Sequence, residues 1–251
     1  MIDLAIRAAR AAGEIQLAGR PAGVRYKGAV DLVTEVDLAC ESAIRRILEG
    51  GAPGIPVLGE EEGGDDTPTR WVVDPLDGTT NFVHGFPYWC VSIALEVDGI
   101  AQVAVVLDPS RDELFTAERG RGARRNGEPM HVSSCDDIGK ALVGTGFPYD
   151  RQSRAHIYLA EVEAVMRRSQ GIRRAGAAAL DLANVAAGRL DAFWEHKLRP
   201  WDVAAGRLLV EEAGGRVTGH GGGDPGRDPV APLATNGALH AVMQEILGSV
   251  A

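Results

Sequence analysis

Apolar residues recur along this chain with two periods, one helical and one extended. Between residues 2 and about 19, Leu4, Ala8, Ala11, Ile15 and Ala18 fall on one helical face, and Gly19-Arg20-Pro21 ends the pattern. A polar loop carrying Lys27-Gly28 leads to Asp31-Leu32-Val33-Thr34-Glu35-Val36-Asp37. A second helix is predicted from there to about Glu49, with Leu38, Ile44 and Leu48 on one face. Ile55-Pro56-Val57-Leu58 reads as a short buried strand delivering Gly59-Glu60-Glu61, and Trp71-Val72-Val73 as another running straight into Asp74-Pro75. Residues 90–97 and 100–107, joined by Asp98-Gly99, give a hairpin signal. Leu114-Phe115-Thr116-Ala117 and the turn at Asn126-Gly127 continue that antiparallel series. A strand at 141–145 and an exposed amphipathic helix over about 153–168 follow. The segment from Gly171 to Leu180 then enters a helix of small residues ending at Gly188. Asp191-Ala192-Phe193-Trp194-Glu195 is a strand ending on an acid, and Pro200 opens a helix that Gly214-Gly215 closes. A strand near 230–236 and a C-terminal helix complete the pattern.

The 251 residues can bury a substantial core, as one large domain or two tightly joined halves. Glycine, at 32 of 251, is about twice its usual ~7% and implies many tight turns. The formal charge of -9 contains no basic block, which argues against nucleic acid as the main ligand. The Arg119–Arg125 stretch reads as a solvated hairpin rim rather than an anion site, and 62–70 as an acidic, glycine-rich linker. The three cysteines, Cys40, Cys90 and Cys135, form no metal-ligand pair or disulfide framework. Met1-Ile2-Asp3-Leu4 starts an amphipathic pattern rather than a leader, and no apolar run approaches ~18 residues. A cytoplasmic protein without a membrane partner is expected.

The chemistry concentrates in Trp71-Val72-Val73-Asp74-Pro75-Leu76-Asp77-Gly78-Thr79-Thr80-Asn81-Phe82. Two carboxylates stand three residues apart, followed by a glycine and three small polar residues suited to capping a helical turn. Hard oxygen ligands beside such a turn suggest a divalent metal holding a phosphate. A plain turn is one rival. A calcium loop of the EF-hand kind needs acids at alternate positions and a glutamate at its twelfth, which are not here. The haloacid dehalogenase motif needs a nucleophilic aspartate two residues before the second acid, and Pro75 occupies that position.

This stretch resembles the signature of the inositol monophosphatase family of metal-dependent phosphatases. Gly59-Glu60-Glu61 resembles the family's upstream acidic motif. Pro200-Trp201-Asp202-Val203-Ala204-Ala205-Gly206, with Glu211-Ala213-Gly214-Gly215 behind it, resembles the downstream one, so the similarity spans essentially the whole chain. The resemblance implies a layered αβαβα sandwich of the sugar-phosphatase type. It would form a single domain with an N-terminal α+β half over about 1–140 and a C-terminal α/β half over about 141–251. It also implies Mg²⁺, two or three ions per site, held by Glu60, Asp74, the Leu76 carbonyl, Asp77 and Asp202. By the same resemblance Asp37 and Thr79 orient the attacking water with Glu60, and Asp77 and the N–H groups of Gly78 and Thr79 meet the phosphate. Gly176, Ala177 and Ala178 would lie beside the substrate, and Glu195 would accept hydrogen bonds from polyol hydroxyls. From the residues alone Asp37 is a helix N-cap, and both roles are compatible. A mobile flap at 62–70, lithium sensitivity and a homodimer are further family expectations. The substrate expected is a small phosphorylated polyol or sugar, inositol 1-phosphate first. Fructose 1,6-bisphosphate, histidinol phosphate and nicotinamide dinucleotide phosphate remain alternatives within the family. A binding partner of the transcription or RNA-processing machinery is the alternative from another class.

Overall fold

The computed structural model describes residues 1–19, 24–26, 32–65, 67–225 and 229–250. The expected loop at Lys27-Gly28, the acid Asp31 and, within the expected flap, Asp66 lie outside these. Helices α1 (Ile2–Ala18) and α2 (Glu35–Gly51) flank a ribbon of β1 (Val24–Tyr26) antiparallel to β2 (Leu32–Thr34), in a stretch whose sequence reads as loop. A seven-stranded sheet follows in chain order: β3 (Val57–Gly59), β4 (Thr69–Asp77), β5 (Cys90–Val97), β6 (Ile100–Asp108), β7 (Glu113–Glu118), β8 (Ala123–Arg125) and β9 (Glu128–Met130). Its strands are antiparallel except for β3 beside β4. The short helix α3 (Thr79–His84) leaves the end of β4. A second sheet has five strands, β10 (Leu142–Thr145), β11 (Gly171–Arg173), β12 (Ala192–Trp194), β13 (Arg216–Gly219) and β14 (Pro232–Thr235), in the order β11-β10-β12-β14-β13. Helices α4 (Arg151–Met166), α5 (Ala178–Ala186), α6 (Pro200–Glu212) and α7 (His240–Gly248) connect and cover it.

Strand alternation sorts the core into three layers of side chains. Trp71 and Val73 of β4, Val91, Ile93 and Leu95 of β5, and Val103, Val105 and Leu107 of β6 pack against α1 and α2. Their neighbours Val72, Cys90, Ala94, Ala104 and Val106 face the other way, into a core shared with α5 and α6. Phe193 and Ala234 close that core from the five-stranded sheet, whose opposite face (Val143, Ala192, Trp194, Leu233) packs on α4 and α7. The layers are therefore α1/α2, sheet, α5/α6, sheet, α4/α7, the αβαβα sandwich expected. Within the middle layer α5 and α6 approach closely at a glycine. A Cβ on Gly206 of α6 would stand 2.5 Å from the Leu182 side chain of α5, so the two helices meet almost backbone to side chain.

Several expectations need correction. The buried face of α1 is Leu4, Ala5, Ala8, Ala9, Ala12, Gly13 and Gln16, rotated from the predicted stripe, with Ala18 exposed. Helix α2 begins before Asp37 rather than after it, and Leu38 points outward at 38% exposure. Strands β11 and β13 are additional to the predicted set. The arginine-rich hairpin is a rim, as read: Arg119 donates to Glu211 at 3.0 Å, and the Gly120 and Gly122 N–H groups donate to Glu212. No helix among the described residues is long and apolar enough to cross a membrane.

Candidate active site

Residues three apart in a regular strand point to opposite faces. Asp74 and Asp77 do not, because β4 is irregular between them. Asp74 is opposite Ser92 and Asp77 opposite Cys90, so three steps on β4 match two on β5 and one extra residue bulges at Pro75-Leu76. The bulge reverses the alternation. Leu76 enters the α1/α2 core, while Asp77 joins Asp74 on the side of α5 and α6. Proline suits the bulge because it offers no N–H to the ladder, and its carbonyl accepts from the buried Gln16 Nε2 at 2.8 Å. The strand thus runs through both acids instead of turning at the first. The sharp turn comes at Gly78, at φ +94°, where a Cβ would lie 2.9 Å from the Tyr88 carbonyl oxygen and 3.2 Å from the Ala177 Cβ.

Backbone N–H groups fix one oxygen of each aspartate. Asp74 Oδ1 accepts from Leu76 N at 2.9 Å, and Asp77 Oδ2 from Ala179 N, at the start of α5, at 2.7 Å. Asp202 occupies the third position of α6, after Pro200, and its Oδ2 accepts from Arg199 N at 2.7 Å. Asp37 occupies the same position in α2. Thr34, not Asp37, is the N-cap, and Asp37 Oδ2 completes a capping box by accepting from Thr34 N at 2.9 Å. Its Oδ1 accepts from Thr79 Oγ1 at 3.1 Å, which also reaches the Leu76 carbonyl at 3.1 Å. Glu60 is placed by a turn that Glu41 organises, a residue the sequence reading did not single out. The Glu41 carboxylate is wholly buried, accepts the Glu61 and Glu62 N–H groups at 2.8 and 3.1 Å, and pairs with Arg45 at 2.8 Å. It lies over Gly59, where a Cβ would be 2.2 Å from Glu41 Oε1.

Glu60, Asp74, Leu76, Asp77, Gly78, Thr79, Gly176, Ala178, Glu195 and Asp202 line one cleft of about 430 Å³. Two expected residues do not line it. Asp37 stands behind Thr79, and Ala177 is buried beneath Gly78. Desolvation, then Glu60, Asp77 and Asp202, raise the Asp74 carboxyl well above its ordinary range. Asp77 is pushed up to about 7 by burial and, with smaller effect, Glu60, against the Ala179 N–H that lowers it. Asp202 is raised well up by burial and by Asp77 and Glu60, and it shares a hydrogen bond with Asp74. Clustered acids whose carboxyls are raised by burial and by one another form a site that favours positive charge. The donor set is all oxygen, which fits a hard divalent cation such as Mg²⁺.

Glu195 follows β12 directly and is only 9% exposed, not in solvent. Its carboxyl is raised well up by burial, against the pull of Arg174, and it lies over Gly146, where a Cβ would be 2.0 Å from Glu195 Oε2. Arg174 was also missed by sequence reasoning. Its guanidinium lies 5.6 Å from the Phe147 ring centroid, and both residues line the cleft. Nothing local in the sequence marks Arg174 or Glu41, since each acts through a contact distant along the chain.

Residues 1–250 match the family described as the inositol monophosphatase family. The chain is 50% identical over 229 residues to the Nus factor SuhB of Pseudomonas aeruginosa, covering 87% of this chain and 84% of that protein. It is 41% identical over 254 residues to the inositol-1-monophosphatase of Synechocystis sp., covering 99% and 88%. The structure of inositol monophosphatase from Anabaena (Nostoc) sp. superposes with a TM-score of 0.92 at 41% identity, over 100% of this chain and 96% of that one. A whole-chain match, relatives of this identity and a shared αβαβα architecture lead to one conclusion: the chain belongs to the inositol monophosphatase family.

Proposed function

We propose that this protein is a Mg²⁺-dependent phosphate monoester hydrolase acting on a small phosphorylated polyol, with inositol 1-phosphate as the leading substrate. The observation that carries this reading is the convergence of Glu60, Asp74, Asp77 and Asp202, each raising or raised by another, beside the Thr79–Asp37 pair. Glu60, Asp74 and the Leu76 carbonyl would hold one ion, Asp74, Asp77 and Asp202 a second, with a weaker third near Glu60. Such ions supply charge neutralisation of the phosphoryl oxygens, a more acidic water and stabilisation of the leaving alkoxide.

The remaining work falls to the chain. Thr79 Oγ1, tied to Asp37, positions the water that attacks in line with the leaving oxygen, and no phosphoenzyme forms. The Gly78 and Thr79 N–H groups hold phosphate oxygens at the start of α3, where Gly78 leaves room for the backbone to approach. Glu195 accepts from ring hydroxyls, and Gly176 and Ala178 present a flat wall to the ring. The site lies at the junction of an N-terminal half over about 1–140 and a C-terminal half over about 141–251. The likeness to an inositol-1-monophosphatase supports the polyol. Fructose 1,6-bisphosphate, histidinol phosphate and nicotinamide dinucleotide phosphate complete the substrate panel that tests it. Inositol 1-phosphate should show the largest kcat/KM. Preference for any other member would replace the substrate while leaving the chemistry.

One observation favours a second role. The P. aeruginosa relative is named a Nus factor, in line with a binding partner of the transcription or RNA-processing machinery. Such binding should survive Asp77→Asn, which abolishes hydrolysis, and pull-down from a lysate of wild-type and variant protein separates the two functions. Lithium inhibition and a homodimer rest on family resemblance, and inhibition assays and sedimentation test them.

A further inference from the structure

Away from the acid cluster, three side chains with transition-metal chemistry meet between α4 and the ends of β12 and β13. Glu161, His196 and His220 each offer one ligand atom, all within 4.8 Å of one another. His196 Nε2 lies 2.7 Å from Glu161 Oε1, and the two imidazole rings pack with centroids 4.3 Å apart. Elements far apart in sequence bring them together.

The surroundings already hold two of these ligands. The Trp194 indole N–H donates to Glu161 Oε2 at 3.0 Å and fixes the carboxylate, which is 7% exposed. His220 Nε2 contacts the Pro232 carbonyl at 3.2 Å, the kind of backbone contact that sets the tautomer of a metal-binding imidazole. His196 is partly exposed and lines the substrate cleft, giving a route of entry.

We infer that Glu161, His196 and His220 form a second metal site, selective for a borderline cation of the Zn²⁺ class and separate from the Mg²⁺ cluster. Two imidazoles and one carboxylate are a common Zn²⁺ set that leaves the fourth position to water, whereas Mg²⁺ demands oxygen. Ligand atoms about 3.3 Å apart suit a tetrahedron with bonds of ~2.0 Å, so the His196–Glu161 contact at 2.7 Å would open by about half an ångström while the wider separations, within 4.8 Å, close on the ion. Because His196 follows Glu195, an ion here would also brace the cleft wall proposed to meet the polyol. The site itself does not depend on the phosphatase reading.

Co²⁺ is the probe, because four-coordinate Co²⁺ absorbs strongly in the visible. With Mg²⁺ saturating, one equivalent of Co²⁺ should bind and develop that band, and Zn²⁺ should displace it. His220→Gln and Glu161→Gln, each verified as folded by circular dichroism, should weaken binding by at least ~100-fold, the upper range for losing merely an outer partner. Asp77→Asn should leave the band intact. Absence of the band in wild-type protein would overturn the proposal, and so would its persistence in both Gln variants or its loss only in Asp77→Asn. Two variants on different elements keep the test decisive if one misfolds.

Discussion

The hydroxyl of Thr79 has one proton and two acceptors, Asp37 Oδ1 and the Leu76 carbonyl, each at 3.1 Å. Donating to Asp37, which stands behind it, leaves the lone pairs of the Thr79 oxygen to accept from a water in the cleft. Thr79→Ala should therefore lower kcat by about a hundredfold or more, as for loss of a group that manages a proton, while Mg²⁺ affinity stays near wild type. Asp37→Asn should act similarly, and the double variant should be strongly non-additive. Additive losses in steady-state kinetics would reduce Asp37 to its capping role. Glu195→Ala should lower kcat/KM for inositol 1-phosphate by roughly ten- to a hundredfold, the cost of leaving buried ring hydroxyls without their acceptor. It should hardly affect p-nitrophenyl phosphate, which has no hydroxyls. An equal loss on both substrates would assign Glu195 to the acid cluster. The types of these residues were legible because their chemistry is local: an acid before Pro, an acid before Gly, an acid after a helix-opening Pro. What Asp37 does was only half legible. A sequence shows an acid at a helix start but not whether it is the cap or three residues past it, and Thr34 settles that here.

Among the elements, the bulge at Pro75-Leu76 and the turn at residues 59–63 do the positioning. Neither could be read beforehand. A bulge breaks the two-residue period by which strands are recognised, and the three-residue spacing of Asp74 and Asp77 looks like two faces until the pairing with β5 is known. Strands β11 and β13 escaped because each is short, carries arginine, and lies at an edge of its sheet. The face of α1 was mistaken because a helix of alanines offers several equivalent stripes, and the choice depends on the sheet beneath. Glu41 allows a direct test of the element scale. Glu41→Ala frees the Glu61 and Glu62 N–H groups and loosens the turn carrying Glu60. The Mg²⁺ concentration for half-maximal activity should rise by about ten- to a hundredfold, the usual cost of losing an outer partner, with kcat at saturation much less affected. Unchanged Mg²⁺ dependence would leave Glu41 a purely structural residue.

At the scale of the whole molecule, the sandwich buries carboxyls that it does not neutralise. Asp74, Asp77, Asp181, Glu195 and Asp202 are all raised, chiefly by burial, with Asp77 at about 7 and Asp181 at about 8. A carboxyl raised in the folded state binds protons more tightly there than in the unfolded chain. Its favourable contribution is present at low pH and declines as pH rises from the unfolded value through the folded one. His220 and His240, lowered to about 4, act in the opposite sense, but only up to their ordinary value near 6.5. Between about pH 6.5 and 8 only the acids still respond. The Tm of chelator-treated protein should therefore fall across that window, and the rise in Tm on adding Mg²⁺ should be larger at its upper end. A metal-free Tm that is flat or rising there would mean that the acids do not carry the burden assigned to them.

The central claim is that these acids hold the ions on which phosphate release depends, and Mg²⁺-dependent hydrolysis of inositol 1-phosphate tests it most directly. Purified protein should release inorganic phosphate with Mg²⁺, stop after exhaustive chelation and recover when Mg²⁺ is restored. Asp77→Asn, assayed alongside, should remain inactive at every Mg²⁺ concentration. Full turnover in the chelated protein, or wild-type rates from Asp77→Asn, would contradict the account.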